Sequence, residues 1–220
     1  MASNTKNSNM IVGLDIGTSK VVCIVGKYND DSKLEIIALG AYPSSGLKKG
    51  GKELVWFLEH PVTYTAGIRS KKEEILDKSI DIIRTNRGGK ITLHNPGQQI
   101  VYFVINLNRR KKDIRNLVLQ IENTIIKFLK LYKINSYADK KNIGVWVKKR
   151  KIAAIGIRVS RWVAYHGFCI NIKNNLKDYK KINPCGLDNR KVTSLKNENK
   201  TPIRIKKNLK RIFLNQLLKV

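Results

Sequence analysis

The sequence predicts an α+β domain, a mixed sheet with helices in the broad α/β class, and three observations predict it. Short apolar runs bounded by polar or glycine-rich turns recur along the chain. Two longer stretches carry an apolar stripe at helical spacing. Strands and helices mix without strict alternation. With 220 residues the chain can build one compact domain with a real core, plus an appendage.

The elements follow in order. "MIVGLDIGTSKVVCIVGKYNDDSKLEIIALG" gives two apolar strand-like runs flanking Asp15-Ile16-Gly17-Thr18, with a polar turn around Asn29-Asp30-Asp31. The small, charged "SSGLKKGGK" forms a joint near Gly50–Gly51, dividing an appended segment, 1–51, from a main domain, 52–220. "ELVWFLEHPVTYT" reads as a strand ending at Pro61. In "RSKKEEILDKSIDIIRT" a capping box from Ser70 to Glu73 starts a helical turn, while "SIDIIRT" fits either helix or strand. "QQIVYFVINL" is a buried type of strand. "DIRNLVLQIENTIIKFLKLYKI" is the clearest helix, with Asp113 at the N-cap and Leu117, Ile121, Ile125, Phe128 and Leu129 on one face. Three strands follow, "GVWV", "KIAAIGI" and "WVAYHGFCIN". A final helix, "TPIRIKKNLKRIFLNQLLKV", takes Thr201 as N-cap and Pro202 at its first position.

Composition narrows the function classes. No apolar run approaches the roughly 18–20 residues of a membrane helix. The three cysteines, Cys23, Cys169 and Cys185, are odd in number, widely spaced and preceded by no secretory signal, which argues against a disulfide framework, a zinc site or any other metal centre. The chain reads as cytoplasmic, with free thiols. Its net charge of +28 admits nucleic acid or an acidic protein as partner. The lysines are spread along the chain with abundant Asn and Ile, a pattern that drift toward AT-rich codons also gives, and aromatic–basic interleaving is missing. A nucleic-acid partner therefore ranks well behind.

Four segments carry candidate chemistry. In "RGGKITLHNPGQQ", paired glycines allow close backbone approach to a ligand, and Arg87 and His94 can donate hydrogen bonds. In "KKRKIAAIG", Lys151 leads into an apolar strand, and its plain reading is a basic hairpin tip. "YHGFCIN" holds His166, and a lone histidine beside an apolar strand is ordinarily a satisfied core residue. "INPCG" sets Cys185 between Pro184 and Gly186, a poor place to bury a thiol as a small hydrophobe, so reactivity gains weight.

Taken together, "LEHPVTYTAG", "RGGKITLHNPGQQ", "KIAAIGIRV", "YHGFCIN" and "INPCG", in this order and spacing, resemble the lipoyl(octanoyl) transferases of bacterial lipoate synthesis. The resemblance runs from about Glu53 to Gly186 and more loosely through the final helix. It implies a biotin/lipoate protein ligase-like catalytic domain with a foreign N-terminal β-hairpin segment. It also implies an acyltransferase that moves an octanoyl group from acyl carrier protein to a lysine of lipoyl domains. Those acceptors are carried by 2-oxoacid dehydrogenases and the glycine cleavage H protein. The implied dyad is Cys185, which forms a thioester, and Lys151. The implied substrate pocket comprises Arg87, Gly88, Gly89, Lys90, Ile91, Thr92, Leu93 and His94, with Ala154, Ile155 and Gly156, and Gly167, Phe168 and Cys169. No cofactor and no membrane are implied.

This sequence departs from the family pattern at Leu93, where tyrosine is usual, and at Asn95, where glycine is usual. The first change is expected to remove a hydroxyl from the pocket wall. The second is expected to be mild because Asn tolerates positive φ. Residues 10–51 separately resemble the N-terminus of the cell-division actin-like ATPases. The partner phosphate loop and adenosine pocket are not found after Gly51, so nucleotide binding is not expected. Two alternatives remain: a catalytically impaired fusion acting as a basic binding module, and an ATP-dependent lipoate ligase of the same fold, which needs no nucleophilic cysteine.

Overall fold

The computed structural model describes residues 10–16, 20–28, 34–43, 53–184, 192–198, 200 and 203–217, the first three segments by backbone alone. The chain forms two compact units, Met1–Lys52 and Glu53–Val220. In the first, β1 (Met10–Ile16), β2 (Lys20–Tyr28) and β3 (Leu34–Pro43) pair as an antiparallel meander in the order β1-β2-β3. The expected hairpin thus gains a third strand, because "LEIIALGAYP" pairs along the whole of β2. Gly17 and Thr18 lie outside the described residues.

The second unit is built on a six-stranded antiparallel sheet in the order β4-β8-β12-β11-β10-β9. Its strands are β4 (Leu54–Leu58), β8 (Gln98–Asn106), β9 (Tyr137–Ala138), β10 (Val145–Val147), β11 (Arg150–Ser160) and β12 (Val163–Asn171). A smaller sheet, β6-β5-β7, joins β5 (Thr63–Ala66) to β6 (Ile82–Arg84) in parallel and to β7 (Ile91–His94) in antiparallel. "ELVWFLEHPVTYT" is therefore two strands in two sheets, broken at Pro61, which has no N–H for a ladder. "SIDIIRT" contributes strand β6.

The helical turn expected from Ser70 is a short 3-10 turn, Lys72–Glu74. The Lys71 N–H donates to Glu74 Oε2 at 3.2 Å, so the reciprocal pair sits one residue later than the Ser70–Glu73 spacing. Ser70 Oγ instead donates to the Gly67 carbonyl at 2.7 Å.

Two helices cover one face of the large sheet. Helix α1 (Ile114–Lys130) starts on Asp113, whose carboxylate accepts the Asn116 N–H at 2.9 Å. Leu117, Ile121, Ile125, Phe128 and Leu129 are all buried, as their spacing requires. Helix α2 (Ile205–Leu217) starts three residues later than Pro202 at its first position would require. Arg204 holds φ +51, outside the helical region, so the helix begins after it. Thr201 and Pro202 lie outside the described residues.

Successive residues of a strand face opposite sides of the sheet. Val101, Phe103 and Ile105 of β8, with Ala164, Phe168 and Ile170 of β12, pack with α1 and α2 in the main core. Their sequence neighbours Ile100, Tyr102, Gly167 and Cys169 line a cavity. Gly167 is required there: a Cβ would stand 1.9 Å from the Val101 carbonyl oxygen on the neighbouring strand.

Candidate active site

The cavity holds about 400 Å³. Its base is formed by β8, β11 and β12, and the turn before β7 contributes Arg87, Gly89 and Lys90 to its lining. Arg87 ties that turn to β5: Nη2 donates to the Thr65 carbonyl at 2.7 Å and to Thr65 Oγ1 at 2.9 Å.

Lys151 reaches the cavity through an irregularity in β11. Val145 pairs with Ala153 but Trp146 pairs with Lys151, so Ile152 is an extra residue on that strand. Ile152 and Ala153 consequently both join the main core. Lys151 shares the cavity side with Ala154 and Gly156, which strict alternation would forbid. Lys151 is 8% exposed. Its Nζ donates to the Ile143 carbonyl at 3.1 Å and lies 4.9 Å from the centre of the Trp146 ring. Nearby, Glu122 accepts the Gly144 N–H at 3.1 Å, and burial raises its carboxyl above the usual range.

Of the residues implied as substrate-binding, Arg87, Gly89, Lys90, Ile91, Thr92, His94, Ala154, Ile155, Gly156, Gly167, Phe168 and Cys169 line the cavity with Lys151. Gly88 and Leu93 do not. Gly88 presses its backbone against β11, where a Cβ would meet the Ile157 carbonyl oxygen at 2.4 Å. Leu93 is fully buried in a second core with Tyr64, Ile91, Tyr179 and Ile182. Position 93 thus faces core, and a missing hydroxyl there is not a loss from the cavity wall. Asn95 needs no positive φ either; Gly97 carries it, at φ +85. The Asn95 side chain is instead fully engaged with Asn174, with the Asn175 carbonyl and with the Asp178 carboxylate.

The cavity also recruits residues outside the implied substrate-binding set, two of which, Thr65 and His166, lie within the quoted motifs. Ile100 and Tyr102 come from β8, Thr65 from β5, His166 from β12, and Lys141, Asn142 and Ile143 from the loop before β10. The pleat of "QQIVYFVINL" puts Ile100 and Tyr102 on one face, but only the sheet order aims that face at the cavity.

Three histidines stay neutral around this space. Burial pushes His94 down to about 3, with the His60 and Arg87 charges acting in the same direction. Burial likewise lowers His166 to about 4, aided by Arg87 and Arg158, and it lowers His60. Tyr102, raised to about 12 mainly by burial, pairs its hydroxyl with His60 Nε2 at 2.9 Å.

Cys185 lies within 185–191, outside the described residues; Pro184 before that stretch and Val192 after it are described. The N–H groups of Leu76 and Asp77 both donate to the Lys181 carbonyl at 3.0 Å, and the Asn183 N–H donates to the Glu74 carbonyl at 2.7 Å. Pro184 lines a small recess with Lys151, Thr92, Ala154 and Cys169, all four of which also line the main cavity. On the far side, Val192 bridges Lys151, and the Thr193 N–H donates to the Lys151 carbonyl at 2.9 Å.

The described fold is that of the lipoate-attaching enzymes. Lipoate-protein ligase A bound with ATP superposes at a TM-score of 0.65, covering 77% of this chain and 74% of that one at 16% identity. The bi-partite lipoate protein ligase of Thermoplasma acidophilum gives 0.63, over 77% and 72% at 15% identity. Residues 42–217 match the lipoyl protein ligase A/B catalytic domain, and the chain belongs to that family. Among its relatives are the octanoyltransferases of Ehrlichia chaffeensis (48% identical over 151 residues, 66% of this chain and 71% of that one), of Wolbachia pipientis from Culex pipiens (45% over 148 residues, 65% and 72%), and of Rickettsia canadensis (42% over 173 residues, 75% and 83%).

Proposed function

We propose that this chain is an octanoyltransferase, an acyltransferase of lipoate biosynthesis that moves an octanoyl group from acyl carrier protein, through a thioester on Cys185, to the lysine of a lipoyl domain. The observation that carries this reading is the identity of 42–48% to three octanoyltransferases, each matched over more than two thirds of its length.

The chemistry fits the residues. An ordinary thiol, with a pKa of about 8.5, is only a few per cent thiolate near neutrality. A lysine ammonium close to Cys185 would stabilise the thiolate by charge pairing. The thiolate attacks the octanoyl carbonyl, a new C–S bond forms, and the carrier's thiol leaves with a proton from Lys151. The acceptor amine then attacks the Cys185 thioester. Lys151, now neutral, takes the proton that this amine sheds, the amide forms and the thiolate returns. Thioester exchange is close to isoenergetic and the amide drives the second step, so no nucleotide enters. The Pro184 recess supports the pairing, because Lys151 forms part of its wall. Ile91, Ile100, Ala154 and the Tyr102 ring give the cavity an apolar lining for the acyl chain. At about 0.8 kcal/mol per buried CH₂, roughly seven carbons would contribute on the order of 5 kcal/mol.

Intact-mass analysis after incubation with octanoyl-acyl carrier protein tests the reading. The wild-type chain should gain one octanoyl unit without ATP, and Cys185→Ser should gain none. No gain by the wild type overturns the transferase reading. Transfer of free octanoate that requires ATP and survives Cys185→Ser would assign the chain to ligase chemistry.

A further inference from the structure

Behind the cavity wall lies a chain of buried amides, and its hydrogen bonds can be read in one direction only. The starting point is the Thr193 carbonyl, which can only accept. Asn171 Nδ2 donates to it at 3.0 Å, and this fixes which end of the Asn171 amide is nitrogen. Asn171 Oδ1 must then accept, and it receives Gln98 Nε2 at 2.8 Å and Asn174 Nδ2 at 3.2 Å. Gln98 Nε2 also faces the Leu93 carbonyl at 3.3 Å, a second acceptor-only group that demands the same orientation. The oxygen of Gln98 is left pointing at His94 Nδ1, 2.8 Å away. An oxygen there requires a proton on Nδ1, and in a neutral ring Nε2 is then the bare lone pair.

The same residue reaches the segment that carries Cys185. Asn171 holds the carbonyl of Thr193 by its side chain, and its own carbonyl accepts the Leu195 N–H at 3.1 Å. Tyr179, upstream of Cys185, donates its hydroxyl to the Leu93 carbonyl at 3.3 Å and also meets Gln98 Nε2 at 3.1 Å. Asn171 and Tyr179 both line the recess that contains Pro184 and Lys151.

We infer that Asn171 is a positioning residue which, through Gln98, holds His94 as its Nδ1–H tautomer and, through the Thr193 carbonyl, fixes the downstream flank of the Cys185 segment. His94 then presents Nε2 as an acceptor, suited to an N–H or ammonium group of a substrate rather than to a carbonyl. The effect on turnover rests on the octanoyl-transfer reading; the tautomer does not.

Long-range proton–nitrogen correlation spectra of the full chain with ¹⁵N-labelled histidine, assigned with His94→Gln, read the tautomer directly. At pH 7 the wild type should show His94 protonated at Nδ1 alone. Asn171→Leu removes the 2.8 Å bond and leaves Gln98 Nε2 oriented only by the longer contacts to the Leu93 carbonyl and the Tyr179 hydroxyl, so a second, Nε2-protonated population of His94 should appear beside the first. Asn171→Asp keeps the acceptor oxygens and loses the donor to Thr193; it should retain the tautomer while kcat falls about ten- to hundredfold with KM little changed. A wild-type His94 protonated at Nε2 overturns the inference without any variant. An Asn171→Leu spectrum identical to wild type, or full kcat in Asn171→Asp, overturns the corresponding arm. If the wild type forms no acyl-enzyme yet shows the Nδ1–H tautomer, the transferase reading has failed and the tautomer assignment stands.

Discussion

In the proposed mechanism one amine, that of Lys151, carries every proton transfer. Its stem lies buried while Nζ donates to the Ile143 carbonyl at 3.1 Å and stands over the Trp146 ring, so a carbonyl dipole and a ring quadrupole both face the charged end. Lys151→Met keeps the apolar stem and removes the charge and its protons. Acylation of Cys185, followed by stopped mass analysis, should slow about 10²–10⁴-fold, the range that a positioned acid–base group supplies, with the fold intact by circular dichroism. An unchanged acylation rate would remove Lys151 from the mechanism. At this scale the motifs were informative but incomplete. Twelve of the fourteen residues implied as substrate-binding line the cavity. Leu93 and Gly88 lie outside that lining, because a residue's identity does not say which side of a strand or turn it faces. Asn95 illustrates the converse: position φ matters less than its amide, which is saturated by Asn174, Asn175 and Asp178.

Elements placed by local periodicity were legible, and elements placed by remote partners were not. Helix α1 follows from Asp113 and one apolar stripe, both properties of adjacent turns. The extra residue Ile152 in β11 follows from pairing with β10, and no feature of "KIAAIGI" announces it. Helix α2 is anchored by Phe213, whose ring centre lies 6.2 Å from Phe57 and Phe103 and 6.1 Å from Phe168. Phe213 is fully buried. Phe213→Ala should therefore cost about 3–5 kcal/mol, read as a lower urea midpoint with an unchanged slope. A loss below about 1 kcal/mol would mean that α2 contributes little to the core against the large sheet. The apolar stripe of this helix was legible, but its start was not, because Arg204 at φ +51 sets the boundary.

The whole molecule couples its neutral histidines to stability. Unfolded histidines titrate near 6.5, whereas His94 and His166 are held near 3 and 4 in the fold. Above pH 6.5 neither state binds these protons. Below it the unfolded chain binds protons that the fold refuses, so stability is full above 6.5 and is lost as the pH falls toward 4. Each group contributes at most about 1.4 kcal/mol per pH unit, and His60 acts in the same direction. Urea midpoints should fall steadily from pH 7 to pH 4.5; a flat profile would mean that these rings accept protons in place. The +28 charge, legible at once, decides none of this, since surface lysines bear on encounter with acidic partners and not on the fold. Sequence alone determined the class of fold, the order of the motifs and the type of the long, periodic elements, because turn chemistry and apolar spacing act between residues a few positions apart. Tertiary structure alone decided which faces of β8, β11 and β12 enclose the cavity, how Lys151 enters it and which nitrogen of His94 bears the proton. Those outcomes depend on register, desolvation and hydrogen-bond partners supplied by strands as distant in sequence as residues 98 and 171.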